Sequence, residues 1–206
     1  MLPIDYSWRW ETAQIPHECR GRGFDDWKIY NPSAEKAIAA AAAFAADFPE
    51  HYGRTSTDRS RVGKGLLLIG DHGTGKTTLA CMTAAEIHWA HDNTIMYVKA
   101  SRMLSDMRAV VAGNAGPKIV RRVARLRTVH NLVIDDVGKE YRTASGYVGA
   151  EITDLMRGRY EDGLPTTAST NESLEKWDEM YDPSMSSFAH QAFTIVHLAG
   201  LDMRRV

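Results

Sequence analysis

Cysteine is scarce in this chain. Only Cys19 and Cys81 occur in 206 residues, far apart and in no CxxC pair. That excludes a disulfide framework and a zinc finger, and suits a reducing cytoplasm. An excess of charge is also missing: 25 Lys and Arg stand against 26 Asp and Glu. A polyanionic partner is therefore not announced by overall charge, and any site for one must be local. Long apolar runs are absent as well. The longest, "AIAAAAAFAA" over residues 37–46, is too short and too alanine-rich to span a bilayer. The opening "MLPIDYSWRWE" places acids and tryptophans where a signal peptide needs an unbroken apolar stretch. The expectation is a soluble cytoplasmic protein with no membrane partner, of a size that fits one domain with a sizeable core.

What is present has a regular rhythm. Residues 1–32 show no clear period and read as an irregular lead-in to a single domain over 33–206. Ser33 offers an N-cap to the alanine-rich helix "AEKAIAAAAAFAADF", and "PEHYGRTSTDRSRVGKG" is a polar loop. "LLLIG" then reads as a buried parallel strand, followed by helix "KTTLACMTAAEIHWAH" and strand "TIMYVKA". A helical basic stretch over about 101–127 leads to strand "NLVIDDVG" and helix "GYVGAEITDLMRGRYEDG". Strand "PTTAST", helix "ESLEKWDEMY" and strand "FTIVHL" complete the chain. Five strands separated by helices specify a three-layer α/β fold on a parallel sheet.

"GDHGTGKTTLA" matches GxxxxGK[ST] between a strand and a helix, the context that phosphate-binding loops require. Gly70, Asp71, His72, Gly73, Thr74, Gly75, Lys76, Thr77 and Thr78 form the candidate nucleotide cradle. Its backbone N–H groups and the helix N-terminus favour an anion. Lys76 brings a point charge to the β- and γ-phosphates of ATP, and Thr77 a hydroxyl for Mg²⁺. "NLVIDDVG" ends in Asp135 and Asp136 at the carboxyl edge of the sheet, where ligands of such folds bind. Asp135 is placed to hold Mg²⁺ through water, and Asp136 to orient or activate an attacking water. Asn171, after the next strand, either hydrogen-bonds the γ-phosphate or lytic water or caps the following helix.

These three elements in this order resemble the AAA+ ATPases. "LVIDDVGKE" and "RYEDGLPTTASTNESLEKW" are similar to the DnaC/DnaI-type replicative helicase loaders and equally to the IstB-type transposition helpers. The resemblance covers about residues 16–204, with "IPHECRGRGFDDW" matching the family's lead-in. It implies strand order 5-1-4-3-2, with the Asn171 strand between those of Lys76 and Asp135. It also implies ATP-dependent homo-oligomeric assembly, single-stranded DNA binding, and a replicative helicase or transposase as partner.

Two departures qualify the likeness. Loaders of this family usually carry a separate N-terminal docking domain, whereas only the stretch before residue 33 remains here, with Trp8 and Trp10 as possible hooks. Little or no C-terminal lid follows the last strand. Such ATPases also take an arginine from a neighbouring subunit, but no arginine lies between Arg159 and Arg204. Ser187 or Phe188 stands about where the family has it. An arginine in trans is worth roughly 10³–10⁵ in rate, so turnover is expected to be feeble and the nucleotide more a switch than a fuel. Arg157 and Arg159 are possible donors, though each also reads as a solvated charge at a helix end; Arg204 and Arg205, just after the last strand, could approach a nucleotide but read rather as a solvated tail.

Between Lys99 and His130, eight basic residues face one acid, Asp106. Lys118, Arg121, Arg122 and Arg125 fall at three- and four-residue spacing on one helix face, and Arg127 follows, while Ile119, Val123 and Leu126 take the other face. These five cations are the candidate DNA contacts, in the segment with which the related loaders bind single strands. Binding would be mainly electrostatic, since few aromatics are interleaved; the alternative is a solvated amphipathic helix. His88 and His91 have no third ligand nearby and do not suggest zinc. The reading is thus a helicase-loader-like AAA+ protein. Its rivals are an IstB-type helper, a nucleotide-switched adaptor without significant turnover, and a small-molecule kinase, which the Asp135–Asp136 strand end and the lack of an arginine-rich lid after Arg159 disfavour.

Overall fold

The computed structural model describes residues 7–29, 31–52, 62–139, 147–200 and 202. Its strands are β1 (Gly65–Gly70), β2 (Ile95–Lys99), β3 (Asn131–Val137), β4 (Thr166–Thr170) and β5 (Phe193–Leu198). They pair in parallel in the order β2-β3-β4-β1-β5, which is the 5-1-4-3-2 order that the resemblance implied. Helices cover both faces. On one lie α2 (Pro32–Ala46), the short α3 (Phe48–His51) and α4 (Lys76–His91); on the other α5 (Ala100–Val111), α7 (Tyr147–Glu161), α8 (Leu174–Met180) and α9 (Met185–Ala192).

The alternation of side chains along a strand divides the apolar runs between these layers. Leu66 and Leu68 face α2 and α4, whereas Leu67 and Ile69 face the layer containing Trp177 and Phe188. Burial on both sides explains why "LLLIG" has no polar alternation. The alanines of α2 have a packing role: Ala37, Ala41 and Ala45 are buried, and small side chains let it approach α4 closely.

Several local expectations are corrected. The lead-in is not irregular. It contains α1 (Ser7–Ala13) and two single 3₁₀ turns, His17–Cys19 and Phe24–Asp26. Ala13, Ile15 and Cys19 are buried in the same cluster as Leu66 and Leu68. Cys19 and Cys81 are both buried in that cluster, which fastens this segment to α4. The N-cap of α2 is Asn31, whose Oδ1 accepts from Ala34 N at 2.8 Å, with Pro32 beginning the helix. Ser33 instead ties α2 to the end of β5: its hydroxyl donates to His197 O and accepts from Ala199 N, both at 3.0 Å. The basic stretch is two helices, α5 and α6 (Pro117–Leu126), and "MSSFAHQA" forms α9, which was not expected. Arg204, Arg205 and the Trp8 side chain lie outside the described ones, as do residues 53–61 of the polar loop.

Arg159 is no surface charge. It is 1% exposed, and its guanidinium donates to Thr166 Oγ1 (3.0 Å), Leu126 O (2.8 Å), Val129 O (3.1 Å) and Pro165 O (2.7 Å). These acceptors cluster at the starting ends of β3 and β4, opposite the edge that carries Asp135. Arg159 is therefore a clamp on the foot of the sheet and cannot reach a neighbour's nucleotide. Replacing it with methionine orphans several buried carbonyls, and each hydrogen bond to a charged group is worth roughly 1.5–3 kcal/mol. We expect Arg159→Met to lower unfolding free energy by about 3 kcal/mol or more, read from the urea midpoint, and Arg159→Lys to recover little because one ammonium cannot span the same acceptors.

Candidate functional site

β1 ends at Gly70, and the chain loops through 71–75 before α4 begins at Lys76. Gly75 caps that helix at φ +93°, and a Cβ there would fall 2.5 Å from the Trp27 ring. Only glycine satisfies both constraints. Asp202, beyond β5, packs its carboxylate against Gly73. Lys76 is 6% exposed; its Nζ donates to Gly70 O (2.7 Å) and Asp71 O (2.6 Å). Burial lowers its pKa, a shift that Asp136 and Asp135 oppose.

Asp135 is the most densely bonded side chain of the site and is 1% exposed. Thr77 Oγ1 lies 2.9 Å from its Oδ1, Ser169 Oγ donates to Oδ1 at 2.5 Å, and Tyr97 OH donates to Oδ2 at 2.7 Å. The four residues come from β3, α4, β4 and β2. Burial and the Asp135 charge push the Tyr97 hydroxyl to higher pKa, so it stays a proton donor. Tyr97 and Ser169 were not singled out from the sequence. Their only signal was position, each on a strand flanking β3.

Asp136 occupies a break in the β3–β4 pairing. Ile134 pairs with Ala168 but Val137 pairs with Thr170, so β3 carries one extra residue there. Asp136 absorbs it at φ +61° while its N–H donates to Ser169 Oγ at 3.0 Å. A bulge re-aims side chains that regular alternation would send to opposite faces. Asp136 thereby lines a cavity of about 160 Å³ together with Lys76, Thr77, Thr78, Lys139 and Asn171. His72, Gly73 and Gly75 line it too. Asn171 does not cap α8, whose N-cap is Ser173. A larger neighbouring cavity, about 570 Å³, runs between Trp27, Arg22 and Lys28 of the lead-in and Thr78 and Met82 of α4. The lead-in's part in it was also not foreseen.

The basic residues are not one free face. Lys118 and Arg121 are exposed. Arg122, by contrast, pairs with the buried Asp106, which Arg102 also contacts at 3.1 Å. Arg125 Nη1 donates to Thr12 O at 3.0 Å and is partly desolvated, which lowers its pKa. Arg127 pairs with Asp154. Two of the five candidate DNA contacts thus anchor α6 to α5 and to the lead-in. Arg157 places its guanidinium 4.6 Å over the Phe188 ring and donates to Ser184 Oγ at 2.8 Å.

The family model for the IstB-like ATP binding protein matches residues 55–197. Among solved structures, one of DnaI is similar at TM-score 0.71 and 19% identity, covering 95% of this chain and 100% of that one. A DnaC helicase loader gives TM-score 0.73 at 19% identity, over 89% of this chain and 99% of that one. The replication initiator DnaA bound to AMPPCP and single-stranded DNA gives 0.64 at 13% identity, over 89% of this chain and 50% of that one. Among curated protein sequences, none matches the chain. The fold is that of a P-loop AAA+ domain.

The site generates a contrast between its two acids. Asp135→Ala strips the acceptor from three hydroxyls and should cost about 2–3 kcal/mol of stability. Asp136→Gly removes a strained left-handed aspartate and should leave stability unchanged or raised by up to about 1 kcal/mol. Thermal unfolding of the two variants checks the order; equal losses would contradict the bulge assignment.

Proposed function

Because this chain belongs to the IstB-like ATP binding protein family, we propose that it is an ATP-switched AAA+ protein that assembles on single-stranded DNA during replication, in the manner of a helicase loader. The observation that carries this reading is the contact of Thr77 with the buried Asp135, beside Lys76, the arrangement a magnesium–triphosphate group needs. Thr77 Oγ1 and the Asp135 carboxylate supply hard oxygen donors, and no cluster of three His, Cys, Asp or Glu occurs among the described residues. That suits Mg²⁺, which keeps several waters and shares its coordination with substrate phosphates. Once bound, the ion would neutralise phosphate charge and polarise the terminal phosphoryl group.

Lys76 then holds the β- and γ-phosphates, Asn171 faces the terminal phosphate, and Asp136 orients a water for slow hydrolysis. The cavity between Trp27, Thr78 and Met82 would receive the base and sugar, which makes the lead-in part of the nucleotide site. Of Arg157 and Arg159, only Arg157 remains as a donor to a neighbouring protomer, since Arg159 is enclosed. Lys118 and Arg121 are the cations we assign to the DNA backbone, with Arg122 and Arg125 holding α6 in place. The partner is a replicative helicase or, on the second reading that the IstB family model favours, a transposase.

Fluorescence anisotropy of a labelled single strand, with the mass of the protein measured alongside, tests the switch. ATP with Mg²⁺ should tighten DNA binding at least about tenfold, the low end of ordinary allosteric coupling, and raise the mass above that of a monomer. Lys76→Ala should abolish both effects. DNA affinity indifferent to ATP in the wild type would reject the proposal. Lys118→Ala and Arg121→Ala should each weaken binding uniformly across sequences and reduce the salt slope by about 1, whereas Arg122→Ala should mainly lower stability. Capture of a replicative helicase or of a transposase on the immobilised protein decides between the two partners.

A further inference from the structure

The small cavity at the phosphate loop is lined by two lysines, and only one belongs to the GxxxxGK[ST] motif. The other, Lys139, follows β3. Its Nζ lies 2.6 Å from Asp136 Oδ1, with both side chains partly exposed. Local backbone geometry aims it there. Asp136 at φ +61° and Gly138 at φ +104° fold the chain back, so that Lys139 N donates to Asp136 O at 3.3 Å. Gly138 packs so closely on Glu172 that a Cβ would fall 2.8 Å from its Cγ. Glu172 is itself fixed, through its backbone N to Thr170 Oγ1 (3.0 Å) and its carboxylate to Lys176 (2.8 Å). The loops after β3 and β4 therefore brace each other, and Lys139 emerges from that brace beside Asn171.

An ion pair this accessible is weakly held, because water screens it and ordering two side chains costs entropy. A phosphate oxygen arriving between the partners offers the ammonium a more highly charged acceptor, and it repels the carboxylate. Asp136 and Lys139 then separate, the first towards water and the second towards phosphate. ADP, lacking the terminal phosphoryl group, leaves the pair closed. We propose that Lys139 is a second phosphate-binding cation of the site, supplied by the chain itself, which exchanges Asp136 for the γ-phosphate and so distinguishes ATP from ADP. This rests on the ATP-binding reading above. It also bears on the arginine missing between Arg159 and Arg204: part of the charge normally brought by a neighbour is already present within the protomer.

Titration with fluorescent N-methylanthraniloyl ATP and ADP, each with Mg²⁺, tests it in the full chain. Lys139→Ala should weaken ATP about tenfold or more, the value of one charge-assisted hydrogen bond, and leave ADP within about twofold. Lys139→Arg should restore most of the difference. Asp136→Asn removes the competing carboxylate and should tighten ATP when Lys139 is present but not in the Lys139→Ala background. Equal losses for both nucleotides would mean that Lys139 only braces the loop, and an unchanged ATP/ADP ratio would mean it is a surface ion pair; either result overturns the proposal. A wild type that binds neither nucleotide, or Lys76→Ala binding as tightly as wild type, would overturn the ATP-binding reading itself and this proposal with it.

Discussion

A carboxylate 1% exposed at the end of a central strand is tolerable only if its charge is answered. Asp135 is answered by three hydroxyls, from Thr77, Tyr97 and Ser169, each on a different element. None carries a compensating charge; the buried Lys76 ammonium is the cation close enough to feel the Asp135 charge. Four elements converge on one acid, and this fixes where α4 starts relative to β3 and how β2 and β4 sit on either side. The phosphate loop is held in register with the acid it must work with by the same contacts that satisfy that acid. On the proposed reading, a divalent cation would share Thr77 and Asp135, leaving the hydrogen bonds of Tyr97 and Ser169 in place.

The bulge at Asp136 follows from the same constraint. A regular strand would turn consecutive side chains to opposite faces, leaving only one acid near the phosphates. One extra residue and a left-handed backbone place Asp136 on the cavity wall while Asp135 stays buried against Thr77, with Ser169 serving Asp135 through its proton and Asp136 through its lone pair. That strain is stored where the chemistry would happen. The turn it starts also carries Lys139 to the cavity mouth. One device in β3 thus positions an acid and a cation at the cavity.

Much of this was legible in the sequence, though unevenly. The five strands and the helix after the phosphate loop could be read because apolar runs, glycines and a motif in its proper context are local signals. The strand order came from the resemblance, since no local pattern encodes which strands are neighbours. The lead-in read as irregular because α1 is short and its burial is supplied by α4 and β2, remote in the chain. The Asn31–Pro32 pair is a helix-start signal that the reading of Ser33 as N-cap passed over. Arg159 looked like a surface charge because its acceptors are backbone carbonyls, which a sequence does not reveal. The basic face of α6 divided because Arg122 answers Asp106, a buried acid a whole helix away.

Magnesium dependence of nucleotide binding tests the central claim most directly, because the account makes Asp135 the point where protein and ion meet. Calorimetric titration of ATP into the wild type and into Asp135→Asn, each with and without Mg²⁺, is the measurement. The account predicts that Mg²⁺ tightens ATP at least about tenfold in the wild type and has little effect in the variant. An equal magnesium effect in both proteins would show that the ion does not depend on Asp135, and would contradict the account at its foundation.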